Sequence, residues 1–198
     1  VLSTFGLLSS GKGIEYIIKS LPALVKKYPN IIYLVIGETH PAVRKNEGEK
    51  YRNKLVNLVK NLNLQNYVKF YNKYLSLEEI IECLLATDIY ICTNLDKNQI
   101  VSGTLSYALG CGKAVISTPS IYAEEVLDKE RGLLAEFKSP ESFSKAIDKI
   151  LSDDEFKDVF IPKENLLGQI GTGFKAAMKA MDSGRIYISA RGLGIISH

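Results

Sequence analysis

Apolar and polar positions alternate in blocks over the first three quarters of the chain. Short runs with the composition of strands occur at 1–8, 31–36, 67–71, 89–93, 114–117 and 132–137. The run at 31–36 is continuously apolar, as is typical of a strand buried on both faces of a parallel sheet. Between these runs lie segments with apolar residues at helical spacing, beginning with Ile14, Ile17, Ile18, Leu21, Leu24 and Val25. This alternation, with short loops, predicts an α/β fold with a doubly wound parallel sheet and right-handed crossovers.

Local signals place some of the helix ends. Ser76 followed by Glu79 forms a capping box, which predicts a helix that begins after Ser76. Pro140 after Ser139 predicts a second helix start, because proline favours the first helical position. The stretch 38–48 is polar and without helical periodicity, so we expect a loop there.

One stretch, 99–119, carries candidate chemistry. Ser102, Gly103 and Thr104 follow the strand at 89–93 and open a helix of small residues. The first backbone N–H groups of a helix and its positive dipole end form a natural anion site. These residue types also cap helices routinely, so a purely structural role is the alternative.

The same stretch resembles a known family. Tyr107-Ala-Leu-Gly-Cys-Gly-Lys-Ala-Val-Ile116 is similar to the second half of the donor-binding segment of family 4 (group 1) glycosyltransferases. A subset of that family also reads Gln-x-x-Ser-Gly-Thr-Leu-x-Tyr-Ala, as here from Gln99. The two glutamates of the usual family pattern are absent, and Gln99 and Tyr107 occupy their places. The resemblance implies a GT-B fold, with residues 1–158 as its Rossmann-like, donor-binding half.

The resemblance also implies an activity and a set of roles. The parent enzyme transfers a hexose from a nucleotide-diphosphate sugar to an acceptor, with retention and without a metal or another cofactor. By resemblance, Lys12 and the 102–104 corner hold the donor phosphates. Asp96 or Gln99 binds sugar hydroxyls, and the loop at Tyr74 and Leu75 holds the base. The acceptor site belongs to a missing N-terminal domain, so we expect this chain alone to be inactive.

Further candidates end the first, second and fifth predicted strands. Lys12 and Gly13 follow the first strand, but Leu7 falls where the family has an arginine. Gly37 and His40 end the second strand on the edge where parallel sheets bind ligands. Thr118 lies near the same rim. The bland alternatives are a solvated turn lysine for Lys12 and a surface side chain for His40.

The sequence leaves two alternatives to glycosyl transfer. The missing glutamates and arginine favour a non-catalytic Rossmann-like interaction or scaffold module whose site has decayed. A nicotinamide-dependent oxidoreductase is disfavoured, because Gly11-Lys12-Gly13 lacks the third glycine and no acidic residue closes the second strand.

Composition and charge argue against several classes of binding partner. The chain has 198 residues, is 46% hydrophobic and 24% charged, and carries a net charge of +3, which is too small to indicate nucleic-acid binding. Its apolar runs are too short to span a membrane. Isolated cysteines, three in number, predict neither metal nor disulfide and favour the reducing cytoplasm. Val1 starts inside a predicted strand without an initiator Met, so we expect a fragment.

The last forty or so residues differ in kind. Pro162-Lys-Glu-Asn-Leu-Leu-Gly168 and Gly184-Arg-Ile186 resemble an internal piece of acyl-CoA dehydrogenases. We therefore expect a chimera, natural or artificial, with residues 159–198 as a mostly helical appendage. The resemblance omits the family's catalytic carboxylate and most of its flavin site, so no flavin chemistry is implied. The helix expected at 174–193 either docks on the α/β domain, mediates a dimer or frays.

Overall fold

A computed structural model describes residues 1–127 and 132–152, so the predicted appendage lies outside the described residues. The strands are β1 (Leu2–Phe5), β2 (Tyr33–Ile36), β3 (Val68–Tyr71), β4 (Ile89–Cys92), β5 (Ala114–Ser117) and β6 (Gly132–Leu134). The helices are α1 (Ile14–Lys27), α2 (Pro41–Glu47), α3 (Lys50–Asn61), α4 (Leu77–Leu85), α5 (Gly103–Gly110), α6 (Ile121–Val126) and α7 (Pro140–Ser152), with a 3₁₀ turn at Ser10–Lys12.

The strands form one six-stranded sheet in the order β3-β2-β1-β4-β5-β6, with every pair parallel. The chain reverses its direction of progress through the sheet between β1 and β4. These strands share only the pairs Leu2–Ile89 and Ser3–Tyr90, whereas β1 and β2 stay in register up to Phe5–Ile36. A crevice therefore opens at the carboxyl ends of β1 and β4, the usual ligand position in such sheets.

Helices cover both faces of this sheet. One core cluster joins the sheet to α1, α3 and α7, and the other joins it to α4, α5 and α6. Ile17, Ile18 and Leu21 of α1 are fully buried, as their helical spacing predicts. The predicted α/β, Rossmann-like fold class is confirmed.

The prediction of a loop over 38–48 is wrong, because Pro41–Glu47 forms α2. His40 caps this helix, since its Nδ1 accepts the N–H of Ala42 at 3.2 Å, and Pro41 takes the first helical position. Gly48, with φ of 62°, ends it. No residue of α2 is buried, so the apolar periodicity that reveals other helices is absent here.

The other element predictions differ from the structure mainly at their ends. The strand predicted at 1–8 ends at Phe5, and the strand predicted at 132–137 ends at Leu134. The capping box is present: the N–H of Glu79 donates to Ser76 Oγ at 3.3 Å, and the N–H of Ser76 donates to Glu79 Oε2 at 2.9 Å. None of the helices in 1–127 and 132–152 has the length and apolar composition that crossing a membrane requires.

Candidate functional site

Two glycines form the floor of the crevice. Gly6 and Gly37 follow β1 and β2 with φ of 126° and 130°, a region that strongly favours glycine. A Cβ on Gly37 would overlap the carbonyl oxygen of Gly6, so the two backbones pack directly on each other. Gly37 is among the predicted site residues. Gly6 was missed, although a glycine directly after a buried strand is a usable signal.

Lys12 and Thr104 meet over this floor. A Cβ built on Gly6 would lie 3.4 Å from the Thr104 side-chain methyl and 4.0 Å from Lys12 Nζ. The turn after β1 and the start of α5 are far apart in sequence, and the crevice brings them together. The structure therefore assembles Lys12, Gly37 and Thr104, which were predicted separately, at one place.

The first turn of α5 has backbone donors that the described part of the chain leaves unused. Ser102 is the N-cap, and its Oγ accepts the N–H of Leu105 at 3.4 Å. Across 1–127 and 132–152, the N–H groups of Gly103 and Thr104 have no hydrogen-bond acceptor. Two unsatisfied donors at the positive end of a helix dipole favour an anionic group.

A buried tyrosine lies under this turn. Tyr90 is 1% exposed, and its burial raises the pKa of its phenol well above the ordinary value, while the nearby hydroxyl of Thr104 acts in the opposite direction. The phenol therefore stays neutral beside Thr104. Ser102 Oγ lies 3.5 Å from Thr104 Oγ1, so the hydroxyls of the corner lie close to one another.

The segment between β4 and α5 is cross-linked by its own side chains. The Asn94 amide donates to Gln99 Oε1, and Asp96 Oδ1 accepts the N–H of Asn98 at 2.9 Å. Thr118 Oγ1 donates to the Asn94 carbonyl at 2.5 Å. The predicted residues Asp96, Gln99 and Thr118 thus lie together on the β4–β5 side of the crevice.

Gly13 is buried at the start of α1, against the chain that leaves β4. Its φ is 61°, and a Cβ there would lie 2.7 Å from the carbonyl oxygen of Thr93 and 2.9 Å from Leu95 Cδ2. The Leu95 N–H donates to the Gly11 carbonyl at 2.9 Å. This glycine therefore lets the chain leaving β4 cross closely over the start of α1.

The remaining predicted residues lie farther along the same edge of the sheet. His40 is exposed, and its N–H donates to the Leu8 carbonyl at 2.9 Å, which ties its turn to the segment after β1. Tyr74 is 70% exposed, whereas Leu75 is buried in the core cluster of α4 and α5. In the part of the chain that the structure describes, no hydrogen bond joins Tyr74 to Lys12 or Thr104.

Sequence reasoning missed a charged network beside Gly37. The side chain of Arg52 is only 9% exposed. Its Nη2 donates to the Gly37 carbonyl at 2.6 Å, and its Nε donates to Glu49 Oε2 at 3.3 Å. The hydroxyl of Thr39 also donates to Glu49, and this bond, with Arg44 and Arg52, lowers the pKa of the Glu49 carboxyl. Arg52 directly follows Tyr51 in α3, and the sequence pattern alone predicts no more than a solvent-exposed charge at this position.

The strand order, with α5 beginning at the switch point, defines a Rossmann-like domain. Comparison with known families agrees with this class. Residues 1–165 match the family described as glycosyl transferases group 1, and the chain belongs to that family.

Relatives and solved structures lead to the same fold. The chain is 30% identical over 159 residues to an uncharacterized glycosyltransferase, MJ1069, of Methanocaldococcus jannaschii. The aligned region covers 78% of this chain but only 37% of that relative. The C-terminal domain of the group 1 glycosyl transferase LpcC from Francisella tularensis superposes with a TM-score of 0.67 and 26% identity, covering 79% of this chain and 77% of that one. Anabaena Alr3699/HepE, solved with UDP and glucose, has a TM-score of 0.71 at 17% identity, covering 96% of this chain and 48% of that one.

A second, short similarity is of another kind. A match of 40 residues, 20% of this chain and 10% of the relative, is 62% identical to the mitochondrial short-chain specific acyl-CoA dehydrogenase of Sus scrofa. This finding supports the prediction that the chain is a chimera.

Proposed function

We propose that this chain is the nucleotide-sugar-binding half of a hexosyltransferase and that it binds the donor diphosphate at the start of α5. The observation that carries the proposal is the pair of N–H groups on Gly103 and Thr104 that find no acceptor among the described residues, with Lys12 Nζ beside Gly6 across the crevice. Backbone donors and a lysine charge together match the charge and the acceptor oxygens of a diphosphate. The presence of UDP in the HepE structure supports this ligand class.

In the proposed reaction, the glycosidic bond to the diphosphate breaks and negative charge develops on the leaving diphosphate. Lys12 and the first turn of α5 are fixed before the reaction and stabilise that charge where it appears. Ser102 orients the turn by capping it. Asp96 and Gln99 border the same crevice, where the sugar of the donor would lie.

The acceptor and any proton transfer would come from a second domain across the crevice. The chain covers only 37% of the archaeal relative, which leaves room in that protein for such a domain. We therefore expect this chain to bind donor weakly and to transfer no sugar by itself.

A thermal-shift titration with UDP, GDP, ADP and their hexose conjugates tests the proposal. A ligand that binds only the native state adds about 2.7 kcal/mol of stability at a hundredfold excess over its Kd. We expect a shift with one nucleotide. Lys12→Ala should lose it, and Thr104→Val, which keeps the backbone donors and removes only the hydroxyl, should reduce it. Lys60→Ala is the control, because Lys60 is exposed in the last turn of α3, at the opposite edge of the sheet.

A second candidate function is the non-catalytic scaffold. Its supporting observation is that Asp96 and Gln99, the two candidates to replace the first missing family glutamate, both form hydrogen bonds within their own loop. A folded chain whose melting temperature rises with none of the nucleotides, even after a matching N-terminal domain is added, would favour the scaffold and contradict donor binding.

A further inference from the structure

Arg52 is an unusual side chain for the buried face of α3. Its Nη1 is fully buried and, among the described residues, has no hydrogen-bond partner. Burying a guanidinium with an unpaired N–H group is unfavourable, and an apolar side chain of similar size would pack at this position with less desolvation. A packing role alone therefore does not account for an arginine here.

The contacts of Arg52 all lead to the turn after β2. Its Nη2 donates to the Gly37 carbonyl at 2.6 Å, and Glu49, which it also contacts, accepts the Thr39 hydroxyl. The same turn is held from its other side by the segment after β1: the Leu8 N–H donates to Glu38 at 2.8 Å, and the His40 N–H donates to Leu8 at 2.9 Å. The turn is thus clamped between Arg52 and the chain that leaves β1.

The clamp reaches the anion corner through the glycine floor. Gly37, which Arg52 holds, packs directly on Gly6, and Gly6 lies under Lys12 and Thr104. The cluster of Arg44, Arg52, Glu38 and Glu49 pairs equal numbers of opposite charges, so it adds little net field at the corner. Its effect on a ligand must be geometric.

We propose that Arg52 is a positioning residue: it fixes the Gly37–His40 turn and the glycine floor that sets Lys12 and Thr104 for a nucleotide-sugar. This inference rests on the proposed function for its ligand, but the positioning of the turn does not depend on that ligand. Small displacements of groups that bind a ligand weaken binding strongly, because their geometry is set in advance.

The test combines amide hydrogen exchange without ligand and UDP-hexose titration on the full chain, for Arg52→Met, Arg52→Lys and Glu49→Gln. In Arg52→Met we expect the Leu8 and His40 amides to exchange about tenfold faster and donor affinity to fall about tenfold, as for lost charged hydrogen bonds. Exchange in β5, far from the turn, should not change. Arg52→Lys should keep most of the defect, because an ammonium does not reproduce the planar fork between Gly37 and Glu49.

Lys60→Met is the matched control, since it removes a positive charge from the same helix without touching the turn. Glu49→Gln tests the clamp if Arg52→Met does not fold, and it should speed exchange at Leu8 and His40 in the same direction. Unchanged exchange at both amides, faster exchange everywhere, or donor affinity within about twofold of the parent would overturn the inference. A parent chain that binds no nucleotide-sugar, either alone or with a matching N-terminal domain, while the turn loosens in Arg52→Met, would overturn the proposed function and support the clamp.

Discussion

Two helices begin at the crevice, and their first turns are opposite in character. At α1, the Ile14 N–H donates to the Tyr51 phenol at 3.0 Å, and the Tyr16 N–H donates to the Gly13 carbonyl at 3.1 Å. The carboxylate of Glu15 accepts from its own backbone. The protein thus satisfies this helix end itself and places a negative charge there.

At α5, the corresponding donors of Gly103 and Thr104 have no acceptor in the described ranges, and no carboxylate caps the turn. Both helices have the same dipole direction relative to the crevice, so the dipole alone does not decide where an anion binds. What differs is whether the N–H groups are already satisfied. In dinucleotide-binding Rossmann folds the pyrophosphate sits at the first helix, and here that position is filled, which argues against the nicotinamide alternative.

The strongest way to break this contrast is to give α5 the character of α1. Thr104→Glu places a carboxylate in the open turn, where it accepts the free N–H groups and repels phosphate. We expect UDP affinity to fall about a hundredfold, while the helix itself gains about 0.3–1 kcal/mol from the charge at its N-terminus. Isothermal titration and thermal unfolding measure the two effects.

Thr104→Gln is the control, since glutamine has the same size as glutamate but carries no charge. Binding by Thr104→Glu within about threefold of Thr104→Gln would show that the anion site is elsewhere.

The reverse test disrupts α1. In the parent, the Tyr51 phenol accepts the Ile14 N–H and donates to the Glu15 carboxylate, and Tyr51→Phe removes both hydrogen bonds. We expect a loss of about 1–3 kcal/mol in the free energy of unfolding by urea. UDP affinity should stay within about twofold of the parent, because the filled end of α1 binds no phosphate.

Tyr16→Phe serves as the control on α1, since the described part of the chain shows no hydrogen bond from the Tyr16 phenol. A large loss of UDP affinity in folded Tyr51→Phe would assign the phosphate to α1 after all.

Most of the fold could be predicted from the sequence, because a buried helix or strand has a regular spacing of apolar residues that can be seen in the sequence. Ile17, Ile18 and Leu21 mark α1 by their spacing, and the apolar run 114–116 marks β5. Helix α2 was not predicted because none of its residues is buried, so its only sequence signals are His40, Pro41 and Gly48 at its ends. Periodicity detects burial, and an exposed helix has none to detect.

The candidate site could be predicted only in part, for a related reason. Ser102, Gly103 and Thr104 form a local motif, so spacing along the chain was sufficient to find them. Gly6 and Arg52 act through neighbours distant in sequence, and their roles depend on backbone packing and on a buried carbonyl. No local pattern encodes such a contact. The distinction between α1 and α5 is of the same kind, since Tyr51 reaches α1 from α3.

The weakest expected effect concerns the acid sensitivity of the filled helix end. Burial of the Glu15 carboxyl acts to raise its pKa, but hydrogen bonds from Lys54 at 2.8 Å and Tyr51 at 2.5 Å outweigh it, so the pKa lies below the ordinary 4.5. A carboxyl with a lowered folded-state pKa stabilises the protein above its unfolded-state pKa, and this stability is lost as pH falls through the folded-state pKa. Glu15→Gln should therefore destabilise the chain most at neutral pH and progressively less below pH 4.5.

Urea unfolding of the parent and Glu15→Gln between pH 7 and pH 3 measures this difference, with the exposed Glu125→Gln as control. A gap between parent and Glu15→Gln that widened in acid would mean that burial dominates and that the carboxyl is protonated in the folded chain. In that case α1 would lack its negative charge, and the contrast with α5 would rest on hydrogen-bond satisfaction alone. A gap that narrows in acid assigns part of the contrast to charge.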